Sequence, residues 1–70
     1  VEAIENVVVS ESYVANKLIK DIKFPRGCLV GGIVREDEVI IPKGEDMIMP
    51  GDRLIVFTLH ENLKKLKEFF

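Results

Sequence analysis

Side chains able to do acid–base, redox or metal chemistry are few and scattered in this sequence. The only histidine, His60, stands between an apolar run and a helix-patterned segment. It could move a proton or switch charge near neutral pH. No Ser, Cys or carboxylate set converges on it, so a solvated capping residue is the simpler reading. The only cysteine, Cys28, heads an apolar run, where a buried and inert thiol is the default. A reactive thiolate would need positive charge beside it, and Arg26 is near in sequence. Glu36-Asp37-Glu38 offers carboxylates to a hard cation, yet three consecutive acids lack the spaced ligands of a calcium loop and fit a solvated turn. One Cys and one His cannot complete a four-ligand zinc site. Gly27, Gly31, Gly32 and Gly44 form neither GxGxxG nor a P-loop, so no phosphate cradle is indicated. Lys64, Lys65 and Lys67 read as the wet face of a helix. The sequence therefore presents no catalytic set and no metal site, and an enzyme is disfavoured.

The elements that must position any binding residue are easier to read. Ile4 to Val9 carries three consecutive valines and predicts a strand. Ser10 or Ser12 can cap a helix over Tyr13 to Ile22, where Val14, Ala15, Leu18, Ile19 and Ile22 draw one apolar face at spacings of three and four. Phe24 precedes Pro25 and is pushed out of the α region, which ends that helix. Cys28 to Arg35 predicts a second strand, with Gly31-Gly32 marking a bulge or a close approach. Glu36-Asp37-Glu38 makes a hairpin turn, with Asp37 suited to a left-handed conformation. Val39 to Ile41 is the third strand.

The stretch from Ile40 to Phe57 then reads as strand, turn, short apolar bridge, tight turn, strand. Pro42 and Gly44 close the first strand. Pro50-Gly51 suits a type II turn, with proline first and glycine taking the positive φ. Leu54 to Phe57 is a buried strand, and Glu61 to Phe70 a final helix with Leu63, Leu66, Phe69 and Phe70 on one side. Glu61 and Lys65 are spaced for an i,i+4 pair. The expectation is an α+β domain of order β-α-β-β-β-α, with a short extra strand before the last long one. Two helices pack on a mainly antiparallel sheet.

Composition narrows the class of function. Seventy residues make one domain with a small core. Cys28 is alone, so no internal disulfide can reinforce it. Association with another surface is the remaining way to bury more area, and the 47% hydrophobic content fits that. Ten basic residues against twelve acidic ones give a net charge of −2, which is no footprint for nucleic acid. Nothing resembles a signal peptide, and no apolar run approaches the roughly 18 residues of a membrane span. A lone thiol fits a reducing cytoplasm. The chain opens without Met, inside a predicted strand, so a piece of a longer protein is expected.

Three strings, read together, carry a resemblance: Phe24-Pro25-Arg26-Gly27-Cys28-Leu29-Val30-Gly31-Gly32-Ile33-Val34-Arg35, then Val39-Ile40-Ile41-Pro42-Lys43-Gly44, then Pro50-Gly51-Asp52-Arg53-Leu54-Ile55-Val56-Phe57. In this order and spacing they resemble the C-terminal domain of TrkA-type proteins, also called the RCK (regulator of potassium conductance) C-terminal domain. One departure is Asp37, where the family commonly has glycine. The resemblance implies that residues 1–70 are one regulatory domain that follows a nucleotide-binding domain. NAD or ATP would bind that absent domain, and this fragment itself would carry no cofactor. It further implies a homodimer, a membrane potassium transporter or channel subunit as partner, and a cytoplasmic location at the inner face of the membrane. A small nucleotide effector such as cyclic di-AMP binds between the two copies in some relatives.

For effector contact the candidates are Arg26, Arg35, Ile40, Ile41 and Pro42. Arginine suits phosphate geometry, and the strand edge near Pro42 suits close approach. Against that, Arg35 can be a solvated charge at a strand end, and Ile40 and Ile41 can belong to the core or to a dimer interface. No cyclic di-AMP pattern transfers residue by residue. Two other readings stay open: a structural dimerisation module without ligand, and a cytosolic domain of another ion transporter.

Overall fold

The two long apolar runs, separated by 17 residues in the chain, lie side by side at the centre of a sheet. The computed structural model describes residues 1–69. Strand β3, Cys28–Arg35, pairs antiparallel with β6, Arg53–Thr58. Strand β1, Glu2–Val7, pairs with the other side of β6, and β4, Glu38–Ile40, with the other side of β3. The order is β1-β6-β3-β4, antiparallel throughout. A second, two-stranded sheet joins β2, Lys17–Leu18, to β5, Met47–Ile48. The chain ends in a 3₁₀ turn, His60–Asn62, and helix α1, Leu63–Phe69.

Alternation of side chains along each strand gives the sheet two unlike faces. Val30, Ile33, Leu54 and Val56 are buried on the inner face. Over them pack Val8, Val14 and Ile22 of the first connection, Ile48 of β5 and Leu66 of α1. The tilted ring of Phe24 and the edge of Tyr13 meet Phe69, each with centroids 5.4 Å apart, and bind α1 to that connection.

Turn chemistry behaves as its residues dictate. Met49 O accepts the Asp52 N–H at 3.1 Å across Pro50-Gly51, and Gly51 takes φ +94°. The register of β3 on β6 slips between Val30 and Gly32, so Gly31 is the extra residue of a β-bulge.

The segment from Tyr13 to Ile22 departs from its helical expectation. Ser12 Oγ accepts the Val14 N–H at 3.3 Å and Ser12 O accepts the Ala15 N–H at 3.1 Å, which starts one turn. Asn16 then takes φ +64°, and the chain continues as β2 and a 3₁₀ turn, Ile19–Asp21. The N–H groups a helix would have used internally go elsewhere. Asn16 donates to Ile48 O, Ile19 to Asp46 O and Lys20 to Gly44 O. The apolar spacing still faces the core, with Val14 and Ile22 buried, but the partner strand has replaced helical hydrogen bonding. Among the described residues there is thus one α-helix.

Smaller differences have similar causes. Val8 and Val9 lie beyond β1, where Val8 exchanges hydrogen bonds with Gly51 and Asp52. Ile41 lies beyond β4. In the hairpin Glu36, not Asp37, has the positive φ, +55°. With Arg35 opposite Glu38, Glu36 is the first central residue, the site where a type II′ turn needs positive φ. The last helix begins with a 3₁₀ turn containing Glu61, and no ion pair joins Glu61 to Lys65 among the described residues. Phe70 lies outside the described residues.

Candidate functional site

Of the five effector-contact residues expected from sequence, four gather at the β3–β4 side of the sheet. Ile40 lies opposite Ile33, two residues from Arg35, and packs on the core. Ile41 is 73% exposed, and Pro42 is half-buried. Beyond them the chain turns at Lys43–Asp46, where Asp46 Oδ2 accepts the Lys43 N–H at 2.7 Å and Lys43 O accepts the Asp46 N–H at 3.0 Å. Arg26 is placed apart. It precedes the start of β3 while Arg35 ends it, and eight extended residues span roughly 20–25 Å. Arg26 sits in an exposed turn whose carbonyl accepts the Asn62 amide at 2.7 Å. The described residues enclose no cavity, so one copy offers a surface rather than a cleft.

Arg35 is more than a strand-end charge. Its Nε donates to Asp52 Oδ1 at 2.9 Å and its Nη2 to Asp52 Oδ2 at 2.8 Å, a two-point contact. Nη2 also donates to Met47 O at 2.8 Å. Asp52 Oδ2 accepts the Met49 N–H as well, at 2.9 Å. The Asp52 side chain is 2% exposed and that of Arg35 39%. The hydrogen bonds from Arg35 hold the Asp52 carboxyl below its usual range, against the opposing effect of burial, with help from the Met49 N–H. The same bond raises Arg35. One residue thereby joins the end of β3, strand β5 and the turn entering β6. The two N–H groups on Nη1 have no protein partner among the described residues.

Asp52 escaped the sequence reading as a partner for Arg35. Its signal was a carboxylate wedged between a Pro-Gly turn and an apolar strand, where an unpaired charge would be costly. The remaining chemistry-bearing residues stay dispersed. Cys28 is half-buried, with Sγ 3.2 Å from Thr58 Oγ1. His60 is exposed, with Nδ1 3.1 Å from Glu2 Oε2.

Residues 4–70 match the family model of the TrkA-C domain. The chain belongs to the TrkA-C domain family. Trk system potassium uptake protein TrkA homolog 2 of Methanosarcina mazei is 39% identical over 69 residues, covering 99% of this chain and 15% of the relative. The TrkA homolog of Archaeoglobus fulgidus is 37% identical over 68 residues, covering 97% of this chain and 16% of the relative. The chain therefore spans about one-sixth of these potassium uptake proteins. Among solved structures, an RCK domain with cda superposes with a TM-score of 0.83 at 27% identity, covering 100% of this chain and 99% of the other. The RCK_C domain dimer of S. agalactiae BusR in complex with c-di-AMP shares the fold, with a TM-score of 0.80 at 18% identity, covering 99% of this chain and 95% of the other. No described helix is long and apolar enough to cross a membrane.

Proposed function

We propose that this TrkA-C domain is a dimerising, non-catalytic regulatory module of a potassium uptake or conductance system. It senses a small effector and, through the remainder of a longer parent protein, gates a membrane cation transporter from the cytoplasmic side. The observation that supports this best is the end-to-end likeness to an RCK domain with cda. The mechanism is differential affinity. An effector that fits one arrangement of two copies better than another shifts their population, and the attached domains carry the shift to the transporter. NAD or ATP binding belongs to another domain of the parent.

A phosphate-bearing effector would use the free Nη1 edge of Arg35, the apolar surface of Ile41 and Pro42 with Ile40 behind them, and Arg26 contributed by the other copy. Calorimetry with cyclic di-AMP, ATP and NAD on the folded chain tests the reading. Heat with cyclic di-AMP alone is expected. A well-folded dimer that gives no heat with any of the three refutes effector sensing. That result would favour the second reading, a dimerisation module without ligand, which draws support from the commitment of Arg35 Nε and Nη2 to Asp52 and Met47.

A further inference from the structure

The two edges of the four-stranded sheet, β1 and β4, are unlike. Strand β4 is three residues long, and Pro42 stands just beyond it, so little of that edge can pair further. Strand β1 is six residues long, pairs with β6 in unbroken register, and contains no proline, glycine or lysine. Of the features that usually blunt a sheet edge it has only charge, in Glu2 and Glu5.

The hydrogen bonds next to β1 show which of its backbone groups are turned outward. Val8 donates to Asp52 O at 2.8 Å and accepts the Gly51 N–H at 2.7 Å, so its backbone faces the β6 side. Alternate residues of an antiparallel ladder turn their backbone groups the same way. Asn6, Ile4 and Glu2 therefore face β6 as well, and Ala3, Glu5 and Val7 turn their N–H and C=O groups outward. No described strand lies beyond β1 to meet them. The side chains of the same three residues are exposed, on the sheet face opposite the core.

We infer that the free edge of β1 is a docking site for an extended peptide segment of a partner protein, which adds to the sheet as a further strand and sets a basic side chain opposite Glu5. Charge selects that occupant. Strand β1 carries two carboxylates and no cation. Glu2 already meets His60 Nδ1 at 3.1 Å. Glu5 has only Arg53 Nη1, at 4.0 Å and between side chains about half exposed, a loose pair that leaves the carboxylate open to a second cation. A second copy of β1 fits this edge poorly. Antiparallel pairing through all three outward residues would set Ala3 against Val7 and Glu5 against its own image, and like charges directly opposite are destabilising. A segment with lysine or arginine at that place, and apolar residues two positions away on either side, satisfies Glu5 and covers Ala3 and Val7. Main-chain hydrogen bonds supply the affinity of such strand addition, and alternate side chains supply its specificity.

Nuclear magnetic resonance of the chain, titrated with the blocked peptide Thr-Val-Thr-Lys-Thr-Val-Thr, tests the assignment. In the free chain the amides of Ala3, Glu5 and Val7 are expected to exchange with solvent fast and those of Ile4 and Asn6 slowly. The peptide is expected to protect the first three and to shift resonances along β1. Glutamate in place of the peptide's lysine is expected to weaken binding about fivefold. Ala3→Pro, which removes one outward N–H and leaves the β6 ladder intact, is expected to weaken it by about the same factor. N-methylation of the peptide's lysine removes a donor from the other side of the ladder and is expected to act alike, with the protein itself unaltered. Any of four results overturns the proposal: no protection at millimolar peptide, shifts centred away from β1, equal binding of the lysine and glutamate peptides, or full binding by the N-methylated peptide. Protection of the three amides that grows with chain concentration in the absence of peptide also overturns it, and gives the edge to a second copy.

Discussion

The Arg35–Asp52 pair makes an asymmetric prediction. In Arg35→Met the Asp52 carboxylate, 2% exposed, keeps only the Met49 N–H as a partner. In Asp52→Asn the stranded group is a guanidinium whose side chain is 39% exposed, so water can take the place of the lost acceptor. Breaking a buried ion pair from one side costs about 3–5 kcal/mol, and Arg35→Met is expected at that level. Partial exposure of Arg35 discounts the other change, and Asp52→Asn is expected to cost about 1.5–3 kcal/mol, the value of losing a charge-assisted hydrogen bond. A domain of this size has only about 4–10 kcal/mol of stability in total, so both effects are large. Urea unfolding followed by circular dichroism measures them. An Asp52→Asn loss equal to or greater than that of Arg35→Met refutes the reasoning, as does either variant lying within 0.5 kcal/mol (about the scatter of surface changes) of wild type.

Three further outcomes follow from the same contacts. Because Asp52 titrates below its unfolded value of about 3.9, its contribution is complete above that value and is lost as pH falls through the lower folded value. The stability gap between wild type and Asp52→Asn should therefore be constant from pH 7 to about 5 and shrink below about 4, as read from urea melts at each pH. Gly31→Ala should cost about 1–3 kcal/mol by driving a Cβ into the Phe57 ring, and most of that cost should vanish in a Phe57→Ala background. Glu36→Gly should raise the thermal midpoint by a few degrees, since it relieves a left-handed conformation worth about 1–2 kcal/mol at a small cost in chain entropy.

Legibility followed the range of the interactions. The bounds expected for the Cys28–Arg35 strand are those observed, because its apolar run is bracketed by a Pro-Arg-Gly turn and an acidic hairpin. The Pro50-Gly51 turn and the Gly31 bulge were equally local. The segment from Tyr13 to Ile22 was not. Its apolar spacing is helical and four of its five expected inward residues, Val14, Ala15, Ile19 and Ile22, do meet the core, but the Asn16 N–H finds Ile48 O across 32 residues of chain, and no periodicity records that. The candidate site divides the same way. Arg35, Ile41 and Pro42 could be nominated by type, whereas the distance between Arg26 and Arg35 depends on their standing at opposite ends of one strand.

The sequence by itself determined the order of the four strands of the main sheet and the turns between them outside the Tyr13 to Ile22 segment, the placement of glycine and proline where backbone geometry demands them, and membership of the TrkA-C family. Those properties are written in adjacent residues, and hydrophobic alternation and turn chemistry act over a few positions. Only the tertiary structure decided which face of the sheet stays bare, that Asp52 rather than solvent answers Arg35, and that β5 takes hydrogen bonds a helix would have kept. Each of those outcomes sets groups from separate strands and turns against one another. The strands must assemble before such groups can meet, and the pairing that buries most apolar surface then dictates which side chains are left to face a partner.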